Sequence, residues 1–583
     1  MIFPKSFNHR DTRGRRVARE QSERGEHLNN GKQLDCIVIG YNELPFGEYE
    51  IFLRKYGTDS EAYRDLKFSF IEVDGAKLDY VGLLNHVFTS AGRSEHADER
   101  TAFKSGDVPN LAAVYLTNFL RKRGHEARYV NLFQYEKEKL CAYLDEKPLC
   151  VAITTTFYVV NLPVIEMVKF IREHNRDVKI VVGGPLIGNH QRNYHGDALK
   201  TALDDIGADI YVLDGQGEVT LSQIITCLDE GGDLSKVPNI LYYDDGTLRR
   251  TGTQLESNSL DENYIDWRGF PDENLGHTVQ TRTARSCAFK CAFCNYPLRA
   301  GPLTLMSLPV IEKELDSMQA LGSVKNVVFI DDTFNVPFPR FKEICRLMIK
   351  KKYPFNWFSY FRCSNSDEEA ISLMAESGCR GVFLGIESGS PSILTNMNKA
   401  ATIEKYATGI EMLRRYGIMT FGSFILGFPG ETEETVDETI EFLRSTQPDF
   451  YRAQLWYCEA GTPIENQRDK FQINGEGFVW SHATMDSLEA MDHIDRLFLS
   501  VQESVWLPQW SFDFWIIPYL LGRGISLETF KDLMAQAHQM LRLEIASVAP
   551  HQRAGMQREC LHHMVQTARN CSRPVLQTKA SIA

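Results

Sequence analysis

Short apolar runs rich in β-branched residues alternate along the first half of the chain with stretches whose apolar residues recur at helical spacing. This pattern predicts strands at 36–40, 127–132, 149–154, 179–183 and 209–213, and helices at 110–123 and 162–173. Residues 41–107 show no clear period and are predicted to be a long polar and aromatic insertion. Strands that alternate with helices in this way predict a parallel sheet with right-handed crossovers. We therefore expect an α/β, doubly wound, Rossmann-like domain over residues 35–230.

A second series of strands and helices begins near residue 276. Its strands are predicted at 279–284, 326–331, 355–361, 380–386, 419–426 and 449–457, and helices are predicted near 309–320, 338–351, 366–377, 402–415 and 433–445. Six such units predict a partial (β/α)6 barrel over residues 276–470 rather than a closed eightfold one. Residues 231–275 are predicted to be a linker holding a hairpin that turns at Asp245-Gly246. Residues 471–583 are predicted to be mainly α-helical, an aromatic region that covers the barrel mouth.

Charge and composition limit the partners of the chain. Its 583 residues include 64 basic and 77 acidic side chains, a formal net charge of −13, which argues against a nucleic-acid or membrane surface. Residues 1–34 lack the apolar core of a signal peptide and are predicted to be a disordered polar arm, as are residues 573–583. The apolar run 512–521 contains Asp513 and Pro518 and is too short to span a bilayer. We expect a cytoplasmic protein.

Cysteine usage departs from an even distribution at one place. Ten of the 13 cysteines are scattered singly, but Cys287, Cys291 and Cys294 lie within eight residues. Three thiolates at these spacings can occupy three corners of a [4Fe–4S] cluster and leave one iron without a protein ligand. The alternatives are a structural zinc site, which would need a fourth Cys or His close by where none lies, and chance clustering. The loop follows the first strand of the second series, where active sites of β/α barrels gather.

Residues 275–470 resemble the radical SAM superfamily. The resemblance rests on the cysteine triad with Phe293 before its third member, on Phe329-Ile-Asp-Asp332, on Gly385-Ile-Glu-Ser-Gly389, and on the Gly-x-Pro-Gly-Glu-Thr-type element around Gly427. It implies that the three cysteines hold a [4Fe–4S] cluster whose open iron is chelated by S-adenosylmethionine (SAM). It further implies an external electron donor of flavodoxin or ferredoxin type, and SAM contacts from the remaining motif residues: Phe293, Asp332, Glu387, Ser388 and Gly427. Arg362 is either a partner of the SAM carboxylate or a surface arginine.

Residues 35–230 resemble the cobalamin-binding domain of cobalamin-dependent radical SAM enzymes. The matching residues are Thr154-Thr-Thr156, Val182-Gly183-Gly184-Pro185 and Gly207-Ala-Asp209 through Gly215-Gln-Gly217-Glu218. Small residues at strand ends permit close approach of a bulky ligand, so Thr154, Thr156, Gly183, Gly184, Gly215 and Gly217 are the predicted contacts. Because no Asp-x-His-x-x-Gly stretch is present, the resemblance implies base-off cobalamin without a histidine lower ligand.

Other interpretations of the first domain follow from its motifs. A Rossmann-like domain that only packs against the barrel stays possible, whereas a nicotinamide site is disfavoured because Gly-x-Gly-x-x-Gly is missing after the first strand. A methylthiotransferase would carry a second cluster on N-terminal cysteines. Cys36, Cys141, Cys150 and Cys227 lie mostly within predicted strands and helices, which disfavours that interpretation.

The two resemblances together imply a cobalamin-dependent radical SAM methyltransferase. Gly40-Tyr-Asn-Glu-Leu44, Gly57-Thr-Asp-Ser60, Ala62-Tyr-Arg-Asp65 and Phe70-Ile-Glu72 are similar to the PhpK-type group, named for phosphinate P-methyltransferases of antibiotic pathways. The acceptor is then a phosphinate phosphorus or an unactivated carbon of a small-molecule or peptide-like biosynthetic substrate, with Arg362 and Arg452 as candidates for an anionic group. A non-methylating cyclisation or rearrangement is the alternative reaction, and a non-catalytic iron–sulfur or cobalamin sensor is the alternative class. The sequence assigns no catalytic side chain.

Overall fold

The computed structural model describes residues 33–93, 102–156, 158, 160–213, 215–270, 275–510 and 514–571. The prediction of a disordered arm falls outside these residues except at 33 and 34, and that for 573–583 falls outside them entirely. The proposed domain boundaries stay predictions, while the elements themselves can be compared one by one.

The first half of the chain folds around a seven-stranded sheet. Five strands are parallel and two antiparallel strands follow; in spatial order they are Ala127–Leu132, Cys36–Tyr41, Cys150–Thr154, Lys179–Gly183, Ile210–Val212, Ile240–Asp244 and Thr247–Arg250. The five predicted strands are confirmed, and so is the hairpin at Asp245-Gly246. The hairpin does not lie in a linker, because it pairs with strand Ile210–Val212 and covers what would be an exposed sheet edge.

Helices pack on both faces of this sheet. They are Leu111–Arg121, Lys137–Asp145, Leu162–His174, Pro185–Asn193, Gly196–Ile206 and Glu218–Asp229. The first of them begins where the sequence predicts, because the Asn110 side chain accepts a hydrogen bond of 3.0 Å from the Ala113 N–H and caps the helix. The parallel strands all end at one edge of the sheet, which brings the residues after Thr154, Gly183 and Val212 together.

The insertion over residues 41–107 is more regular than its sequence pattern indicates. It contains helices Phe46–Arg54, Glu61–Lys67 and Tyr80–Ser90, the hairpin Phe70–Val73 with Ala76–Asp79, and the short 3-10 turn Ser105–Asp107. Each element is too short to show a clear period. The insertion is held by the far end of the chain: Arg64 pairs with Asp492 at 2.7 Å, and the Tyr49 ring stacks on Trp510 with centroids 4.1 Å apart.

The second half contains a sheet of seven parallel strands. Six run in chain order, Thr278–Thr281, Asn326–Phe329, Asn356–Phe361, Cys379–Glu387, Met419–Leu426 and Phe450–Leu455, and Val505–Trp506 adds the seventh. The connecting helices are Leu308–Leu321, Phe338–Lys351, Glu368–Glu376, Pro391–Asn396, Ile403–Arg415 and Glu433–Thr446. The six predicted strands and their order are confirmed, and the closure of this sheet into a partial barrel stays a prediction.

The C-terminal region is mainly helical but begins with strands that the sequence analysis did not predict. Strands Asn474–Glu476, Val479–His482 and Met485–Asp486 form a small antiparallel sheet before helices Ser487–Ser500, Ile516–Gly522, Leu527–Ile545 and Pro550–Asn570. Pro518 of the second helix accepts hydrogen bonds from Thr278 (3.1 Å) and Asn326 (2.8 Å), the first residues of their strands. This helix therefore covers the end of the sheet away from the cysteine loop, whereas Trp480 of the small antiparallel sheet packs on the Gly427 turn at the carboxyl end of strand Met419–Leu426. Among the helices described, none combines the length and apolar character needed to cross a membrane.

Candidate cofactor site

The three clustered cysteines lie on one loop at the carboxyl end of the first strand of the second sheet. The strand is followed by the two-residue strand Ala284–Arg285, then the loop, then helix Tyr296–Ala300. Distant segments tie the loop down: the Ala292 N–H donates to the Met397 carbonyl (2.8 Å), and the Ala292 carbonyl accepts from the Ile464 N–H (2.9 Å). The loop conformation is thus set by contacts that reach more than a hundred residues along the chain.

The thiols themselves are shielded from water to different degrees. Cys291 is buried, while Cys287 and Cys294 are half-buried, and the Cys287 Sγ lies 3.4 Å from the Thr333 Oγ1. Burial raises the pKa of Cys291, against the opposing charges of Lys399 and Arg362, and raises the pKa of Cys294 to about 11. Thiolates are therefore disfavoured here until a strongly cationic group binds them.

The spacing of the thiols is informative about the kind of metal group. No set of three His, Cys, Asp or Glu side chains among the described residues is arranged to hold a single metal ion. Three cysteines at sequence spacings of four and three can each bind a different iron of a [4Fe–4S] cluster, whereas a structural zinc ion would need a fourth ligand.

Two cations stand beside the loop, each over an aromatic ring that belongs to it. The Arg362 guanidinium lies 3.7 Å from the Phe289 ring centroid, and the Lys399 Nζ lies 5.4 Å from that of Phe293. Arg362 is only 7% exposed, and its Nη2 has no hydrogen-bond partner within the described part of the chain. A buried donor without a partner fits the carboxylate of SAM. A surface arginine would be hydrogen-bonded to water and would not need such a ligand.

Lys399 is paired with one of the predicted SAM contacts. Its Nζ lies 2.8 Å from the Glu387 Oε1, and both side chains are almost fully buried. Burial disfavours the ammonium form, but the Glu387 carboxylate outweighs it, so the pKa of Lys399 is raised. Glu387 also has a left-handed backbone (φ 72°), a strained conformation for a non-glycine residue. The charge and position of Glu387 are therefore held firmly beside Phe293.

The other motif residues of the second domain meet the loop less directly. Phe428, the residue after Gly427, packs edge-on against Phe293 at 6.4 Å. A Cβ on Gly427 would lie 2.4 Å from the Trp480 ring, so only glycine fits. The Ser388 hydroxyl accepts from the Ser390 N–H at 3.0 Å and is thus used within its own turn.

An aspartate pair follows the second strand. Asp331 accepts from the backbone N–H groups of Thr283 (2.6 Å) and Ala284 (3.0 Å) and anchors the approach to the cysteine loop. Asp332 is exposed by its accessible area, but protein atoms are packed densely around its carboxylate. The resulting desolvation and the charge of Asp331 raise the pKa of Asp332 to about 7. Asp331 thus has a positioning role that the sequence analysis, which singled out Asp332, did not assign.

A cavity of about 580 Å³ lies between the two sheets, where their strands end. From the first domain it is lined by all six predicted cobalamin contacts: Thr154, Thr156, Gly183, Gly184, Gly215 and Gly217. From the second it is lined by residues 295, 296 and 298–300, directly after Cys294, and by Arg282 and Arg285. The segment that follows the cysteines is therefore also a wall of the cavity. The volume of the cavity lies in the usual range for cofactor sites.

Glycine is required at two positions in the lining of this cavity. Gly184 has φ +111°, and a Cβ there would lie 2.8 Å from the Thr155 Oγ1. A Cβ on Gly215 would lie 3.0 Å from the carbonyl oxygen of Arg299, on the opposite domain. These close approaches form a cradle that side chains would fill, which fits a flat, bulky ligand against the strand ends.

Charge in the cavity is mostly positive. Its described lining residues include Arg192, Arg282, Arg285 and Arg299 and one carboxylate, Glu218. Arg282 lies 3.9 Å from the Glu218 carboxylate and over the Tyr115 ring. Burial, opposed by the charge of Arg282, raises the pKa of Glu218 to about 7.

Several residues around the site carry no sequence motif that would have revealed them. Lys399 and Phe289 are recognised only from their contacts with Glu387 and Arg362, and Arg299 only from its place in the cavity wall. A buried basic residue shortly after a Glu-Ser-Gly turn is the one available signal, and it is a weak one.

Comparison with known proteins finds similar families for part of each half of the chain. The family model described as Radical SAM superfamily matches residues 281–443, and that described as B12 binding domain matches residues 104–224. The cysteine loop lies within the first match, and the threonine and glycine contacts of the cavity lie within the second.

Curated relatives have low sequence identity to this chain, but the similarity extends over about two thirds of it. The chain is 26% identical over 383 residues to an uncharacterised methyltransferase of Pyrococcus horikoshii, covering 64% of this chain and 80% of that protein. It is 24% identical over 425 residues to the anaerobic magnesium-protoporphyrin IX monomethyl ester cyclase of Rubrivivax gelatinosus, covering 67% and 73%. Among solved structures, the radical SAM methyltransferase TsrM of Kitasatospora setae, with cobalamin and [4Fe-4S] cluster bound, superposes with a TM-score of 0.56 at 17% identity, covering 78% of this chain and 96% of that one. This last likeness shows a shared fold.

Proposed function

We propose that this chain, a cobalamin-dependent radical SAM enzyme, transfers a methyl group to an unactivated centre of a small molecule from natural-product biosynthesis. The observation that carries the proposal is the shared wall: residues 295, 296 and 298–300 continue directly from Cys294 and line the cavity that also contains Thr154–Thr156 and Gly184. When bound, the cluster with SAM supplies a 5′-deoxyadenosyl radical and cobalamin supplies the methyl group. The chain itself binds and orients the reacting groups and excludes water from them.

Residues of the second domain are assigned to the cluster and to SAM. Cys287, Cys291 and Cys294 bind the cluster, and the buried Nη2 of Arg362 receives the SAM carboxylate. Glu387, fixed by Lys399, receives a polar group of SAM, and the Gly427 turn faces its adenine. Phe293 and Phe428 exclude water from this region.

The cavity between the domains is assigned to cobalamin. None of its described lining residues is a histidine, which supports the base-off form without a histidine lower ligand. Ultraviolet–visible absorption of bound hydroxocobalamin and electron paramagnetic resonance of the cobalt(II) state test this assignment, because a nitrogen lower ligand has a distinct signature in both.

The acceptor is proposed to carry an anionic group such as a phosphinate or a carboxylate. Arg452 lies over the rings of Phe383 (5.0 Å) and Phe421 (5.5 Å), on the same face of the second sheet as Tyr360. The charge of Arg452 also acts on Asp65 of the insertion: burial, opposed by that charge, raises the pKa of Asp65 to about 6. An arginine over aromatic rings supports an anionic substrate, in keeping with the similarity of the insertion to the PhpK-type group.

A non-methylating cyclisation is the second candidate. The observation that favours it is the similarity to a cyclase across about two thirds of this chain, comparable in extent to the similarity to a methyltransferase.

One assay distinguishes the two. Reconstituted protein is incubated with methyl-deuterated SAM, hydroxocobalamin, a flavodoxin-type reductant and candidate phosphinates, amino acids or peptides. We expect 5′-deoxyadenosine, S-adenosylhomocysteine and a product that carries the deuterated methyl group. Formation of 5′-deoxyadenosine with an unlabelled, rearranged product would establish the cyclisation instead, and absence of both SAM-derived products with every substrate would contradict an enzymatic role.

A further inference from the structure

The cavity is cationic although the protein as a whole is acidic. Four arginines and one carboxylate are among its described lining residues, whereas the chain carries a net charge of −13. Cationic side chains that line one cavity favour a ligand with negative charge. The question is which of the four are available to such a ligand.

Two of the arginines are committed to the protein. Arg282 lies within ion-pair distance of Glu218, and Arg285 donates to the Gln216 Oε1 and, at 2.5 Å, to the Asn258 carbonyl. These contacts hold the second domain against the 215–258 segment of the first. Their guanidinium groups are therefore part of the domain interface.

The other two arginines, Arg192 and Arg299, have only amide partners. Arg192 donates to the Asn189 Oδ1, and the Arg299 Nη1 lies 3.5 Å from the Asn295 Oδ1. Neither forms an ion pair with any residue the structure describes. Arg192 lies on the helix that follows Gly184, and Arg299 on the helix that follows Cys294, so each domain contributes one.

Arg192 and Arg299 both line the cavity, one from each domain. Although Arg192 is exposed, partial desolvation lowers its pKa, and the nearby positive charge of Arg299 lowers it further, with Glu459 opposing. Like charges from two domains that line one cavity repel, and an anion between them would replace that repulsion with attraction.

We propose that Arg192 and Arg299 together bind the phosphodiester of the cobalamin nucleotide. The amide side chains of the corrin ring are neutral, so the phosphodiester is the anionic group of this ligand that a pair of arginines would select. This inference rests on the cobalamin site and not on the proposed methyl transfer. It makes cobalamin a link between the first domain and the helix after Cys294, because the phosphate would be held from both sides.

The test compares two ligands and four proteins. Hydroxocobalamin carries the phosphodiester, and diaquacobinamide has the same corrin ring without phosphate or nucleotide. Their dissociation constants are measured by equilibrium dialysis for the wild-type chain, R192Q, R299Q and the double variant. We expect each single variant to weaken cobalamin binding roughly tenfold, as for the loss of one hydrogen-bonded charge, with cobinamide binding unchanged.

Two controls keep the result interpretable. K200Q removes a positive charge from the same domain outside the cavity lining and should alter neither ligand. Unchanged cobinamide binding shows that a variant is folded with its cavity intact. In the wild type, added salt should weaken cobalamin binding more than cobinamide binding.

Three outcomes would overturn the proposal. The first is an equal loss of both ligands in the arginine variants, which would assign the arginines to the corrin ring or to folding. The second is cobalamin binding that the double variant leaves unchanged. The third is failure of the wild-type chain to bind either ligand, which would remove the cobalamin site itself, whereas tight cobalamin binding without methyl transfer would affect only the proposed function.

Discussion

The cysteine loop and the cavity beside it are built in opposite ways. The loop places its three predicted metal ligands within eight residues, and its neighbours Arg362 and Lys399 meet it through single contacts. The cavity is lined by residues from Leu111 to Gly461, drawn from both domains. A site built on one loop should fail completely when one ligand is lost, and a site built from many walls should lose function by degrees. Four predictions follow this contrast.

The largest expected effect is at the loop. Cys287→Ala should abolish the cluster and all 5′-deoxyadenosine formation, because two thiolates cannot replace three, yet leave cobalamin binding intact. Iron and sulfide content, mass spectrometry of 5′-deoxyadenosine and absorbance of bound cobalamin measure this. Cys141→Ala, a half-buried cysteine of the first domain, should retain all three properties. Loss of cobalamin from Cys287→Ala would show that the two sites are not separable.

A smaller but still large effect is expected in the cavity at Gly184. Gly184→Ala introduces a Cβ 2.8 Å from the Thr155 Oγ1 at φ +111°, and should cost roughly 2–4 kcal/mol of unfolding free energy along with cobalamin affinity. Urea unfolding and equilibrium dialysis measure the two effects. Gly207→Ala carries a smaller backbone strain, in the left-handed helical region (φ +77°), and has no neighbour nearer than 3.7 Å, so it should lose less stability and keep cobalamin. Equal cobalamin loss in both variants would attribute the effect to strain alone.

An intermediate effect concerns pH. The pKa of Glu218 is about 7 in the folded chain, above its ordinary value of 4.5, because of burial that the charges of Arg282 and Arg285 only partly offset. The folded state therefore holds a proton that the unfolded state releases, and the unfolding free energy falls as pH rises from about 4.5 to 7. Glu218→Gln should remove this fall, so its unfolding free energy should rise by roughly 1–3 kcal/mol relative to that of the wild type between pH 5 and pH 8.

Urea unfolding of the two proteins without cofactors, at a series of pH values, provides the measurement. Glu173→Gln, at an exposed carboxylate of the same domain, is the matched control and should run parallel to wild type. A constant difference between Glu218→Gln and wild type at all pH values would contradict the raised pKa.

The smallest effect is expected at the ring over which Arg362 lies. Phe289→Leu removes an aromatic contact of 3.7 Å but no hydrogen bond, and should weaken SAM binding two- to fivefold, or roughly 0.5–1 kcal/mol. Isothermal titration of the reconstituted protein with SAM measures it, and cluster content should not change. Loss of the cluster in Phe289→Leu would mean that the ring supports the cysteine loop rather than Arg362.

Sequence patterns predicted the strands of both sheets well. The strands Ala127–Leu132 and Lys179–Gly183 begin and end at the predicted residues, because short runs rich in β-branched and aromatic residues favour extended backbone. They did not predict the elements of the insertion, whose helices of 7 to 11 residues depend on contacts with Asp492 and Trp510 far along the chain. Nor did they predict that the hairpin at Asp245-Gly246 joins the first sheet, since the partner of an edge strand is chosen by tertiary contact.

The cofactor site divides along the same line. The sequence by itself predicts the cluster ligands and the glycines of the cavity, because cluster geometry demands a short spacing of cysteines and close approach demands residues without side chains. Only the tertiary structure decided that Arg362 has an orphaned donor beside Phe289, that Lys399 pairs with Glu387, and that Arg192 and Arg299 line one cavity from two domains. Such pairings depend on how separate segments dock, and no local pattern records the distance between residues a hundred positions apart.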